Sequence, residues 1–303
     1  MQKFNTYVSV LLITLCQLAF GQQNSKKEYT IPFELTDYNN LSIQAILNEK
    51  DTVSLMFHTA SSGVTLTEEA AKKLKSINFD GTVDGVKSWG GGENESRFSK
   101  GNLVQIGAMK WSNISIWEDK NSGQSTGGKF GTDLFKDKAI EIDFEKKVIV
   151  IHSDLPKKAK KYDKLKLTFS NDCMFLEATS EIGKSTFKNK FLIHSGYAGA
   201  VLFDDAFVAE NKIDDELVII DEKQLKDSFG NVLKTKKAIL PSFTIGTQKL
   251  TDVPVGFFAG AIGRQKMSII GGDVLKRFNI IIDGKREYIY LKVNNLKEVD
   301  YFN

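Results

Sequence analysis

"LMFHTASSG", residues 55–63, carries an apolar strand straight into a histidine, a hydroxyl and a run of small residues. The chain has 303 residues and only three histidines, yet the same pattern returns in "FLIHSGYAG", residues 191–199. Phe57-His58-Thr59-Ala60-Ser61-Ser62-Gly63 aligns with Ile193-His194-Ser195-Gly196-Tyr197-Ala198-Gly199 at an offset of 136. Two further blocks follow in the same order. Ile106-Gly107 with residues 111–114 matches Ile245-Gly246 with residues 250–253 at an offset of 139. "FGTDLFKDKAIEIDFEKKVIVI" from Phe130 matches "IGGDVLKRFNIIIDGKREYIYL" from Ile270 at an offset of 140. Three blocks in one order, with small insertions between them, indicate a duplicated lobe.

Between these blocks the chain is a series of short β-branched and aromatic runs set apart by polar or glycine turns, such as "LSIQAIL", "VSLMF", "ISIWE", "KFLIH" and "YIYLK". That spacing predicts an all-β protein with a few short helices. Helices are expected in "TEEAAKKLKS" after Leu66, "DLFKD" from Asp133, "DDAFVAEN" from Asp204 and "DVLKRF" from Asp273, each opening on a Thr or Asp able to cap free amides. Asp133 and Asp273 are accordingly read as caps, and Asp143 and Asp283, which end strands, as structural. The proline-marked basic stretch "LPKKAKKYDKLK", residues 155–166, reads as a solvated connector. The expected organisation is a signal segment over residues 1–21, a first lobe over 22–156, a connector over 157–166 and a second lobe over 167–303.

A formal net charge of +3 gives no reason to expect a nucleic-acid partner. At the N-terminus Lys3 precedes an apolar segment over residues 7–20, and Ala19-Phe20-Gly21 supplies a cleavage-like site before Gln22, so export to a periplasmic or external space is expected. A lipoprotein reading at Cys16 is disfavoured by bulky Leu15 before it. No later apolar run reaches the roughly 20 residues of a spanning helix. Removal of the signal leaves Cys173 as the sole cysteine, read as a strand residue, so no internal disulfide is expected.

An apolar strand, a turn with a hydroxyl and glycine, and later a hydrophobic-Gly strand leading into "GTDLFKDK" or "GGDVLKRFNIIID" resemble the lobe pattern of the aspartic peptidases, most closely their bacterial retropepsin-like group. The resemblance covers nearly all of the chain after the signal segment. It implies an all-β, bilobal aspartic-peptidase-like fold, with two pseudo-twofold-related lobes around a peptide-binding cleft. In that family each lobe contributes one aspartate, and the pair shares a proton and activates a water. Carried onto this chain, those positions are His58 and His194. The hydroxyls that tie each loop to the opposite lobe are kept as Thr59 and Ser195. The next glycine is kept as Gly196 but replaced by Ala60, so the first turn must be one an ordinary residue can adopt. Gly63 and Gly199 complete both turns. "SWGGGENESRF", residues 88–98, would supply a flap over the cleft, with Trp89, Gly90, Gly91 and Gly92 as candidate substrate-binding residues, although a surface turn is an equal reading.

Symmetrical replacement by histidine reads as a retained site with altered chemistry rather than decay. Three uses of His58 and His194 are compatible with this: a histidine dyad acting on a water, non-catalytic capture of an extended peptide, or a metal held between the lobes. Catalytic zinc normally takes three protein ligands, so no cofactor is expected and the metal reading has least support. His152, after "VIVI", is read as a surface residue. With no Gly-x-Ser-x-Gly elbow and no Cys/His cluster, serine hydrolase and zinc-finger readings find no support.

Overall fold

The computed structural model describes residues 28–87, 93–120, 124–226, 232–259 and 265–302. The expected signal segment and the flap residues Trp89, Gly90, Gly91 and Gly92 lie outside them.

The described chain is almost entirely β, arranged as two lobes and one sheet shared between them. In the first lobe the strands Leu41–Leu47, Asp51–Phe57, Gly128–Phe130, Val64–Thr67, Met109–Asp119 and Glu93–Ile106 pair in that order, and the last returns to the first to close a barrel. The second lobe repeats the order with Cys173–Ile182, Ser185–His194, Ser268–Gly271, Val201–Leu202, Gln248–Ala259 and Val232–Ile245, and closes in the same way. The correspondence extends to the edge strands: Glu34–Leu35 and Gly81–Lys87 flank the first barrel as Thr168–Ser170 and Ile219–Lys226 flank the second. Duplication is therefore a property of the connectivity as well as of the sequence.

Alternation explains how the strands face. Cys173–Ile182 has alternate residues buried, with Met174, Leu176, Ala178, Ser180 and Ile182 inward. In the shared sheet the two central strands, Ala139–Asp143 and Phe278–Ile282, are buried along their whole length and are mostly apolar, whereas the edge strands Glu28–Pro32 and Asp163–Lys166 are exposed or half-buried for most of theirs. That sheet takes three strands from each half, in the order Glu28–Pro32, Val148–His152, Ala139–Asp143, Phe278–Ile282, Tyr288–Val293 and Asp163–Lys166. Its central seam is antiparallel, with Ile140 opposite Ile282 and Ile142 opposite Ile280. The end of the basic stretch is thus an edge strand, in which Leu165 faces Ile289, and not solvated throughout.

Two of the expected caps form. Thr67 accepts from the amide of Ala70 at the helix Glu68–Lys73, and Asp204 accepts from Phe207 at the helix Asp205–Glu210. Asp133 and Asp273 do other work. Glycines precede both short helices, and Asp133 accepts instead from the amide of Gly63, in the histidine turn of its own lobe. Asp273 is fully buried with Lys276 and Arg277 as ion-pair partners, and it accepts from the amide of Phe302. Asp143 and Asp283 hold tight turns, accepting from the amides of Lys146 and of Glu287 and Tyr288.

The surface reading of His152 is overturned: the residue is buried in the shared sheet. Its Nδ1 lies 3.0 Å from Glu28 and its Nε2 2.8 Å from Glu141, carboxylates on the two strands that flank its own. Cys173 opens its strand half-buried, and burial pushes its thiol up, away from the reactive thiolate.

Candidate functional site

Each barrel ends one of its strands at a histidine, Asp51–Phe57 just before His58 and Ser185–His194 on His194 itself. Both turns are closed by the histidine carbonyl, which accepts from Ser61 in one lobe and Tyr197 in the other. Ala60 is not among the residues with positive φ, so the first turn accommodates an ordinary residue as expected, while Gly63 takes the left-handed conformation at φ 72°.

The two turns meet back to back. The amide of Thr59 donates to Ser195 Oγ at 3.0 Å, and the amide of Ser195 donates to Thr59 Oγ1 at 3.0 Å. Each hydroxyl then donates across the boundary, Thr59 to the carbonyl of Ile193 at 2.7 Å and Ser195 to that of Phe57 at 2.8 Å. All four bonds are buried, so the hydroxyls and amides of Thr59 and Ser195 are each matched as they leave water. The symmetric network fixes where the two histidines stand.

It places their rings in contact, with centroids 4.5 Å apart and planes at 67°. His58 is buried and His194 nearly so. Burial disfavours the charged imidazole: it lowers His58 well below the ordinary value, assisted by His194 and by Lys129, and it takes His194 down to about 4, with Lys129 again contributing. Near neutral pH both rings are therefore uncharged.

The pair is not symmetric in detail. The amide of Ala60 donates to His58 Nδ1 at 3.1 Å, which leaves the ring proton on Nε2. The ring edge then fills the hollow at Gly196, where a Cβ would stand 2.4 Å from His58 Cδ2 and 2.5 Å from Nε2. His194 Nδ1 is buried and has no hydrogen-bond partner among the described residues. Glycine in one turn and alanine in the other thus coincide with two different ring environments.

The rings also face different space. A cavity of about 650 Å³ on the His194 side is lined by Leu202, Phe258, Ile269 and Phe302 among others. One of about 760 Å³ on the His58 side is lined by Met56, Gln124, Thr126, Lys120 and Lys129. Gly196, Tyr197 and Ala198 line both, so the second-lobe turn is the divide between them.

Four candidates, His58, Thr59, His194 and Ser195, are brought together; Trp89, Gly90, Gly91 and Gly92 fall outside the described residues. Sequence reasoning missed Tyr197, whose counterpart is Ser61 and whose phenol burial pushes up to about 12. It also missed Lys129, because nothing local marks a lysine on a three-residue strand as facing a cleft. Asn39 was missed as well; its side chain donates to the carbonyl of Ala198 at 2.8 Å, tying the first lobe to the dividing turn. Among the described residues no three His, Cys, Asp or Glu side chains gather where they could hold one metal ion, and no helix is long and apolar enough to cross a membrane.

No family model matches the chain. No curated protein matches it either. Among solved structures it is similar to the aspartic proteinase of Irpex lacteus, at a TM-score of 0.59 and 15% identity over 90% of this chain and 99% of that one. With two closed β-barrels, a shared sheet and paired turns at the lobe boundary, this likeness shows that the chain has the pepsin-like aspartic-peptidase fold, with a cleft between its lobes.

Proposed function

We propose that this is an exported protein that binds peptides in the cleft between its lobes without cleaving them, with His58 and His194 standing where this fold carries its aspartate dyad. One observation carries the non-catalytic reading: the two rings touch at 4.5 Å between centroids, and burial keeps both neutral. An aspartate dyad works because one carboxylate is charged and its partner holds a proton, so base and acid are present together. Here His58 already accepts from Ala60 through Nδ1, so the ring offers a donor and no free base. Two uncharged imidazoles suit capture of a peptide carbonyl better than activation of a water. A peptide would be held as an extended strand, by backbone hydrogen bonds and side-chain cavities on either side.

Hydrolysis by the histidine pair keeps one supporting observation, the unpartnered Nδ1 of His194. The more specific affinity to bacterial retropepsin-like proteins rests on the turn and "GTDLFKDK" motifs.

The test is to incubate the purified protein, without its signal segment, with a peptide library and to read binding and turnover together. Saturable binding without products is expected. The His58→Asp/His194→Asp double variant is expected to gain cleavage at acid pH, since the hydroxyl network and cleft are already in place. Cleavage by the unaltered protein near neutral pH, lost in both His58→Ala and His194→Ala, would replace this reading with the hydrolase; absence of any peptide binding would end it.

A further inference from the structure

The two cavities beside the histidine pair are built by equivalent strands yet differ at one matched position. Gly128–Phe130 and Ser268–Gly271 are counterparts in the two barrels, and their registers set Lys129 beside Met56 as Ile269 is set beside Leu192. Lys129 lines the His58 cavity, and Ile269 the His194 cavity. Packing does not call for the lysine, because an isoleucine fills the same place in the twin barrel.

Lys129 is only 23% exposed, and its Nζ lies 3.1 Å from Asp119. That contact uses one of three ammonium donors. Lys120 lines the same cavity and is exposed. The one carboxylate among the described lining residues, Glu69, is held by Lys73 at 2.6 Å. The field of Lys129 reaches both imidazoles and opposes their protonation. Neutral histidines add no negative charge beside Lys129, so its ion pair is with Asp119 and not with the residues of the histidine turns. The opposite cavity also carries Asp221, Lys223, Lys236 and Lys237 in its lining, with Lys223 held by Asp221 at 3.2 Å and Lys236 by Asp214 at 2.6 Å, while Leu202, Phe258, Ile269 and Phe302 give it an apolar part that favours an apolar group.

We infer that the cleft selects a peptide bearing a carboxylate side chain that reaches Lys129 on the His58 side and an apolar side chain that enters the His194 cavity. This rests on the peptide-binding reading above and names its ligand class. The partly buried ammonium gives a charge-assisted hydrogen bond that a neutral amide matches poorly. Bound carboxylate also offsets the repulsion that Lys129 exerts on the rings, so binding and proton uptake by the histidines favour each other.

The experiment uses capped peptides with one central leucine and either glutamate or glutamine placed at each other position in turn. At the best position the glutamate peptide is expected to bind about five- to tenfold more tightly than its glutamine partner, with the advantage shrinking as salt is raised. Lys129→Met is expected to abolish the difference while glutamine-peptide binding persists. Because that variant strands Asp119, the Lys129→Met/Asp119→Asn double variant, which leaves no unpaired charge, is measured beside it and is expected to behave alike. Equal binding of glutamate and glutamine peptides at every position, or a preference that survives in both variants, overturns the carboxylate selection while leaving the peptide cleft intact. Failure of the unaltered protein to bind any of the peptides overturns the cleft reading and this inference with it.

Discussion

Gly196 is a glycine because the His58 ring occupies the space its side chain would need: a Cβ there would lie 2.4 Å from the ring carbon Cδ2. No rotation of a methyl group relieves that overlap, and the turn is pinned by the buried Ser195 hydroxyl, so the ring must leave. Gly196→Ala is therefore expected to cost about 1–3 kcal/mol of stability, the range for overpacking a tight site, and to weaken peptide binding. Ala60→Gly, the twin substitution, is expected to change stability by about 1 kcal/mol or less through chain entropy alone. Chemical denaturation of the two variants side by side checks the asymmetry.

The junction between the turns makes a second prediction. Thr59 and Ser195 each donate across the boundary and accept across it, so removing either hydroxyl strands a buried amide on the other side. Thr59→Ala and Ser195→Ala are each expected to cost about 2–3 kcal/mol, with the double variant costing clearly less than the sum because each hydroxyl holds the other residue's amide and the first loss already loosens the junction. A double-mutant cycle by urea unfolding measures the coupling, and strict additivity would contradict a single network.

Acid should loosen the site. In the unfolded chain His58 and His194 titrate near the ordinary 6.5, whereas folding lowers both, His194 to about 4. The unfolded state thus binds more protons as pH falls. The stability contributed by keeping these rings neutral is present in full above 6.5 and is eroded as pH drops from there toward about 4. For His194 the loss amounts to roughly 2–3 kcal/mol across that window. Thermal melts of the parent and His194→Gln between pH 7 and pH 4 are expected to converge toward acid; parallel curves would show that the ring is not held neutral.

His152 runs the other way. Its hydrogen bonds to Glu141 and Glu28 outweigh burial, which by itself works against the charge, and raise its proton affinity. Its contribution is complete below 6.5 and is lost as pH rises through the elevated value. Replacing it with phenylalanine leaves Glu141, only 1% exposed, with Lys158 as its remaining ionic partner. His152→Phe is expected to lose about 2–4 kcal/mol at pH 6 and less at pH 9, read as the difference in denaturant midpoint at the two pH values.

What could be read from sequence was what lies within a short window. The turns at His58 and His194, the Thr67 and Asp204 caps and the strand "LSIQAIL" are local patterns, and the duplication is visible because three such patterns recur in order. Partners far apart in sequence were not legible. Glu28 lies 124 positions from His152, so the buried charge there could not be told from a surface residue. Asp133 has the type and position of a helix cap, but an amide 70 residues away takes its carboxylate. Lys129 and Ile269 differ in consequence only because the barrels bring each to one side of the same cleft. The histidine pair was legible by alignment of the two halves, whereas its asymmetry depends on which ring fits beside a glycine.

The strand-for-strand duplication gives the molecule an internal control. Each aligned position of the paired strands and turns has a twin in an equivalent backbone setting on the other side of the cleft. Exchanging Lys129 with Ile269, or Ala60 with Gly196, would move a property from one half to the other while leaving amino-acid composition unchanged. Reciprocal swaps of this kind separate what a residue does from where the fold puts it, a comparison that a protein without an internal repeat cannot offer.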